Sequence, residues 1–253
     1  MSVGIIVRGP RFSSGASERN SRCDKNPVVK QTLWTSVIAR LAMATLIVVG
    51  GAQFVTARSV QTPQQEDGWA MLKLDDGVLF IWNVQDVHFT LTLKGKEIKQ
   101  LNDPDHIFFS VDGVVFQLQM AAISEFAKDA KEKKLDDRAI LAAHRDWESK
   151  FIEGLLNTKL TVRNFNVRLS NGNDASLWQF DMPISENSEA TKQIYLTSVN
   201  KDYVLLLNIA LTSAISEADS RKYLLDTMGT LKISPETINI RKMAESIRAG
   251  ARP

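Results

Sequence analysis

Tyr203–Leu211 reads YVLLLNIAL, and the orientation of that run decides the architecture. Tyr203, Leu205, Leu207, Ile209 and Leu211 share one parity, whereas Val204, Leu206 and Ala210 share the other. Successive strand side chains point to opposite faces, so this segment is apolar on both sides. Such a strand belongs inside a sheet, with a layer above and a layer below. Ile194–Val199 precedes it across Asn200-Lys201-Asp202, making the two runs the arms of a hairpin. Downstream, Ser216-x-x-Asp219 has the pattern of a capping box. Ala218, Leu224, Leu225 and Met228 follow at helical spacing, with Gly229 at the C-terminal end. Leu231–Ile233 is then a short strand.

Working upstream, Trp178, Phe180 and Met182 form another inward face after an Asn171-Gly172 turn. Leu160 and Val162 share one parity and Phe165, Val167 and Leu169 the other, which predicts a bulge near Arg163-Asn164. Asp136 is placed to cap a helix in which Ile140, Leu141, His144, Trp147, Phe151, Ile152 and Leu155 form one stripe to about Leu156. Ser124–Lys134 is dominated by charge and reads as a loop or a frayed helix. Asp112-Gly113 separates Ile107, Phe109 and Val111 from Phe116, Leu118 and Met120. That dipeptide suits a type I′ turn, which needs positive φ at both central residues. Val87, Phe89, Leu91 and Leu93 alternate with His88, Thr90 and Thr92. Trp69–Leu74 and Val78–Asn83 flank Asp75-Asp76-Gly77 as a first hairpin. Ser234-Pro235 reads as the cap and first residue of a final basic helix ending near Arg248.

Runs of strands punctuated by single helices argue α+β, an antiparallel sheet flanked by helices 136–156 and 216–229. The stretch from Asp86 to Ile233 resembles the PsbP-like fold, an α/β/α sandwich found in the photosystem extrinsic protein and in many exported bacterial proteins. The resemblance rests on the helix–four-strand–helix tail, with Tyr203–Leu211, Ser216–Met228 and Thr230-Leu231-Lys232-Ile233 as its last pieces. It implies a non-enzymatic binding or assembly factor and assigns no functional residue.

The chain of 253 residues is 44% hydrophobic and 24% charged, with 13 Gly, 7 Pro and one Cys. These fractions exclude wholesale disorder, a fibrous repeat, a polytopic membrane protein and a disulfide scaffold. Charge is unevenly divided. Residues 1–57 carry seven basic and two acidic groups, a net +5, which leaves 24 basic against 27 acidic in the remainder. A weakly acidic body gives no reason to expect nucleic acid as a partner.

Leu41–Ala52 is an apolar and small-residue run of 12 residues directly after Arg40. A basic flank, a short apolar stretch and a small-residue exit describe a secretory signal, cleaved after Ala57 or after Ala52. An uncleaved anchor over residues 41–57 and a buried core helix are the rival readings. Cys23 lies before the apolar run, so a lipid anchor is not expected. The expected layout is a polar, disordered tail at 1–36, a signal or anchor helix at 37–57 and a linker at 58–67. An α+β domain then spans 68–234, and a helix with its tail spans 235–253. The body is expected in the periplasm or outside the cell, touching the membrane only through its N-terminal segment.

Catalytic motifs are lacking. His88, His106 and His144 have no metal-ligand spacing, and Asp103-x-Asp105-His106 is the densest ligand-type cluster. No nucleophile elbow and no phosphate loop occurs. Asp75-Asp76 and Asp136-Asp137 read as turn and cap pairs, and Lys128, Lys131, Lys133 and Lys134 as a solvated charged face. Neither metal nor cofactor is expected. Among Trp69, Trp82, Trp147 and Trp178, the first two flank the first hairpin, and they are the candidate binding residues if it projects from the body. The function expected is an exported, non-enzymatic binding or assembly module of a bacterial-type cell envelope, with an envelope protein or a small ligand as partner. The alternative is a secreted hydrolase whose site is built from residues distant in sequence, His106 with Asp103 or His144 with Glu148.

Overall fold

The computed structural model describes residues 5–8, 68–84, 86–101, 103, 107–183 and 189–250. The apolar run 41–52, the two expected cleavage positions, the expected linker 58–67, Cys23 and His106 lie outside the described residues. Among the described residues, no helix is long and apolar enough to cross a membrane.

Two antiparallel sheets form the body. The first contains β1 (Ile5–Arg8), β2 (Gly68–Leu74), β3 (Gly77–Val84), β4 (Val87–Lys94) and β12 (Lys232–Ser234), in that order across the sheet. The second has seven strands: β5 (Ile98–Leu101), β6 (Ile107–Val111), β7 (Val114–Ala122), β11 (Tyr203–Leu211), β10 (Lys192–Asn200), β9 (Asp174–Asp181) and β8 (Arg163–Arg168). β11 is the fourth of the seven, as its two apolar faces require. Among the described residues four helices accompany the strands: α1 (Ile123–Phe126), α2 (Asp137–Leu156), α3 (Glu217–Gly229) and α4 (Ile240–Arg248).

The parity of each strand assigns its layers. Phe80, Phe89 and Leu91 of the first sheet meet Phe109, Phe116, Leu205 and Leu207 of the second in one core. The Phe80 and Phe109 rings touch edge to face at 5.6 Å. α3 enters the same layer through Leu224 and Met228, packing on β4, β10 and β11. Behind the seven-stranded sheet, Trp178, Phe180, Tyr195 and Leu206 lie under Ile152 of α2. Outside the five-stranded sheet, Leu72, Leu79 and Ile81 lie under Ala244 of α4.

The antiparallel α+β class therefore holds, and the seven-stranded sheet is flanked by α2 and α3 on its two faces. The difference from the sequence reading is a second sheet. The first hairpin does not extend the main sheet but pairs through β3 with β4, which β12 joins on its other edge, to make its own, because its inward aromatics need a facing layer.

Local expectations were met where side chains close the backbone. Asp136 accepts the Ala139 N–H at 2.8 Å, and Ser216 accepts that of Asp219 at 3.0 Å. Asp112 and Gly113 have φ of 50° and 86°, as a type I′ hairpin demands. Three local readings are corrected. No bulge forms at Arg163-Asn164, because β8 starts at Arg163 and Leu160 and Val162 pack ahead of it against the α2-side core. The final helix is capped by Asn239, whose side chain accepts from Lys242 N, while Ser234 closes a turn onto Glu236. Ile5–Arg8, assigned to the polar tail, pairs with Trp69–Leu72 as β1; its Ile-Ile-Val run has the β-branched character that suits a strand.

Candidate functional site

A cavity of about 160 Å³ opens where the β6–β7 hairpin meets the end of β4 and the start of α3. Val111, Val114, Phe116, Ile209 and Ile215 form its apolar walls, Tyr223 lines it, and exposed Lys94 and Asp112 stand at its rim. The hairpin is held in place by its own turn residue. Asp112 Oδ1 accepts the N–H groups of Lys96 at 3.0 Å and Glu97 at 2.8 Å, tying the β6–β7 turn to the loop before β5. That loop passes so close that a Cβ on Gly95 would come 2.6 Å from Val111 Cγ1. The Tyr223 ring meets Phe116 edge to face at 5.8 Å. Its hydroxyl is buried, with the Thr227 side chain as its hydrogen-bonding neighbour. Burial pushes the phenol well above its ordinary pKa; the nearby Thr227 side chain opposes the shift and the Asp112 charge adds to it. The hydroxyl therefore keeps its proton at every physiological pH.

A second group of polar side chains lies under α2. His144 and Glu148, one turn apart, are 1% and 5% exposed. Burial pushes Glu148 up to about 7 and His144 down to about 4. Both groups are thus neutral between those values. Phe126 meets the His144 ring edge to face at 5.1 Å, Trp147 lies at 5.9 Å, and Nδ1 of the imidazole has no hydrogen-bond partner. Facing Glu148 across the interface, Tyr195 is itself pushed up by burial and by the Glu148 charge, and stacks on Trp178 at 3.9 Å. A general base needs a proton to abstract within hydrogen-bond reach. Among the described residues His144 has no such Ser, Asp or Glu neighbour in a hydrogen bond, and aromatic rings pack over it.

A third cluster anchors α3. Glu217 accepts from Lys192, from Gln179 Nε2 at 3.1 Å and from Arg221 Nη2 at 2.7 Å, while Arg221 also donates to Gln179 Oε1 at 2.8 Å. The Lys192 hydrogen bond first, then that of Gln179, hold the Glu217 carboxyl down at about 2. Its partners saturate it, so it is an anchor rather than a reactive acid.

Trp69 and Trp82 are directly opposite each other on β2 and β3. Trp69 is 9% exposed and stacks on Phe80 at 5.8 Å; Trp82 is half-buried and stacks on Phe89 at 6.0 Å. The hairpin does not project, and both indoles belong to the inter-sheet packing. Among the described residues no cluster of three His, Cys, Asp or Glu could hold a metal ion. Sequence reasoning did not find the cavity, because its walls come from β6, β7, β11 and α3, and their side chains read individually as ordinary core.

Two facing antiparallel sheets with helices on both outer faces define an α+β sandwich with a small apolar cavity at one rim. No family model matches the chain, and no curated protein matches it. Among solved structures it is similar to the solution structure of cyanobacterial PsbP (CyanoP) from Synechocystis sp. PCC 6803. The identity is 10% and the TM-score 0.38, over 74% of this chain and 99% of that one.

Proposed function

We propose that this protein is a non-enzymatic binding module of a bacterial-type cell envelope, exported by its N-terminal segment, which takes a small apolar group into the rim cavity. The observation that carries the reading is the cavity itself, with its apolar walls and open mouth. Concave apolar sites with a few polar groups are where proteins bind small ligands. Groups capable of acid–base work lie elsewhere, with His144 and Glu148 under α2 and Glu217 saturated by its partners. Export rests on the basic flank, apolar run and small-residue exit of residues 40–57. The hydrolase alternative draws no support from the surroundings of His144.

The test is a titration of the full chain, methyl-labelled at Val and Ile, with toluene as a neutral apolar probe. The expected result is saturable shifts at Val114, Ile209 and Ile215, abolished in Val114→Trp, where the indole fills the space. No saturable shift at these methyls would overturn the reading.

A further inference from the structure

The outer strands of the two sheets are not equally protected. β1, β5 and β12 have four, four and three residues, whereas β8 has six. Edge strands are ordinarily blunted by shortness, Pro, Lys, a bulge or a covering element. β8 reads Arg-Asn-Phe-Asn-Val-Arg, and every residue of it except half-buried Val167 is exposed. Among the described residues it pairs with β9 alone, so alternate residues turn their N–H and C=O groups away from the sheet. We propose that β8 is a docking edge for an extended acidic segment of a partner protein, which adds to the seven-stranded sheet as one more strand.

Phe165 is the apolar anchor. It is 42% exposed, one of two exposed large hydrophobic side chains among the described residues. The guanidinium of Arg221 lies 4.9 Å from its ring centroid and holds one side of it. An added strand sets its side chains opposite those of β8 on the same face, so an aliphatic residue beside Phe165 covers the ring.

Charge sets the sign of the partner. Arg138 and Arg168 share Asp174, Arg163 and Lys192 share Asp181, and Lys192 and Arg221 share Glu217. The edge thus gathers five cations on three carboxylates, although residues 58–253 as a whole carry 24 basic against 27 acidic groups. Arg138, Arg163 and Arg168 are exposed, and of the three acids only Asp181 is. Every neighbouring pair in this sheet is antiparallel. A strand added in that sense meets Arg168, then Phe165, then Arg163, which calls for the pattern acidic-x-x-aliphatic-x-acidic. A second copy of this chain would instead bring two cation-rich edges together, which like charge opposes.

The experiment titrates the full chain, amide-labelled, with the peptide ETTVTE flanked by Gly-Ser at each end. Saturable amide shifts at 163–168 are expected, with KTTVTK binding about tenfold more weakly because two cross-strand charge pairs change sign. Two isomers of ETTVTE, N-methylated at alternate residues, separate the backbone contribution. One is expected to bind and the other not, since only one set of N–H groups faces β8. In the double variant Arg163→Glu, Arg168→Glu the preference is expected to reverse, a gain for KTTVTK that an unfolded variant could not give. Equal affinity for the two peptides would overturn the acidic partner. Equal binding of both methylated isomers, or shifts confined to residues outside β8, would overturn strand addition. Broadening at 163–168 that grows with protein concentration in the absence of peptide would make a second copy the occupant and overturn the proposal, as would the lack of any saturable shift.

Discussion

Asn83 of β3 exchanges two hydrogen bonds with the backbone of Ile238. Its Nδ2 donates to the Ile238 carbonyl at 2.8 Å, and its Oδ1 accepts the Ile238 N–H at 3.0 Å, across 155 positions of sequence. The side-chain amide thereby acts as one more peptide group, placing the chain just ahead of α4 so that Ala244 reaches Leu72, Leu79 and Ile81. Asn83 is fully buried, so removing it leaves two backbone groups short of partners.

Asn83→Leu is therefore expected to destabilise the protein by roughly 2 kcal/mol and to release the C-terminal helix. Amide exchange at 240–248 should accelerate far more than exchange in β10 and β11. Equal exchange in both regions of the variant would show that α4 is held by its apolar face alone.

Trp69 is a packing residue in this architecture, stacked on Phe80 inside the inter-sheet core. Trp69→Ala is expected to cost about 3–5 kcal/mol, the range for deleting a large buried aromatic. Denaturant unfolding would measure it. A change under 1 kcal/mol would show that the indole is not part of the cooperative core.

Glu148 makes stability depend on pH. Its folded-state value, about 7, lies above the ordinary 4.5 because burial penalises the carboxylate. The folded state binds this proton more tightly than the unfolded chain does. Stability is thus fullest below about 4.5 and declines as pH rises through about 7. Glu148→Gln should raise stability at pH 8 by roughly 3 kcal/mol relative to its effect at pH 4. Urea midpoints at the two pH values test this, and a pH-independent difference would refute it.

His144 acts in the opposite direction. Burial depresses it from 6.5 to about 4, so its contribution is present above the ordinary value and is lost as pH falls through about 4. His144→Phe, placed beside Phe126 and Trp147, should flatten the loss of stability between pH 6.5 and pH 4. An unaltered acid limb in the variant would assign that loss to other groups.

Glu217 adds an acid limb at lower pH. Its carboxyl, held at about 2 by Lys192 and Gln179, contributes stability above the ordinary 4.5 that is lost as pH falls through about 2. In Glu217→Gln the limb below pH 4 should be shallower. Lys192, whose side chain is only 13% exposed, would then keep Asp181 at 3.5 Å as its remaining acidic neighbour.

Much of the architecture was legible because the signals are local. The two apolar faces of Tyr203–Leu211 required a central strand, and β11 is one. Asp136, Ser216 and Asp112-Gly113 marked two helix starts and a hairpin, since a cap or a positive-φ turn is satisfied within four residues of chain. Readings failed where the deciding contact was not local. Leu160 and Val162 simulated strand parity while packing against the α2-side core, and Ser234-Pro235 matched a cap pattern that Asn239 fulfils instead.

Sequence by itself determined the strand and helix alternation, the antiparallel α+β class and the uneven charge between residues 1–57 and the rest, because periodicity, capping and turn chemistry act over short spans. Tertiary structure alone decided that there are two sheets rather than one, that α4 docks on the body through Asn83, and that Trp69 faces inward. It alone decided the cavity too, whose walls join Val111 and Val114 to Ile209, Ile215 and Tyr223. Apolar periodicity states that a side chain is buried, but not against which layer; that choice is made only when the sheets close on each other.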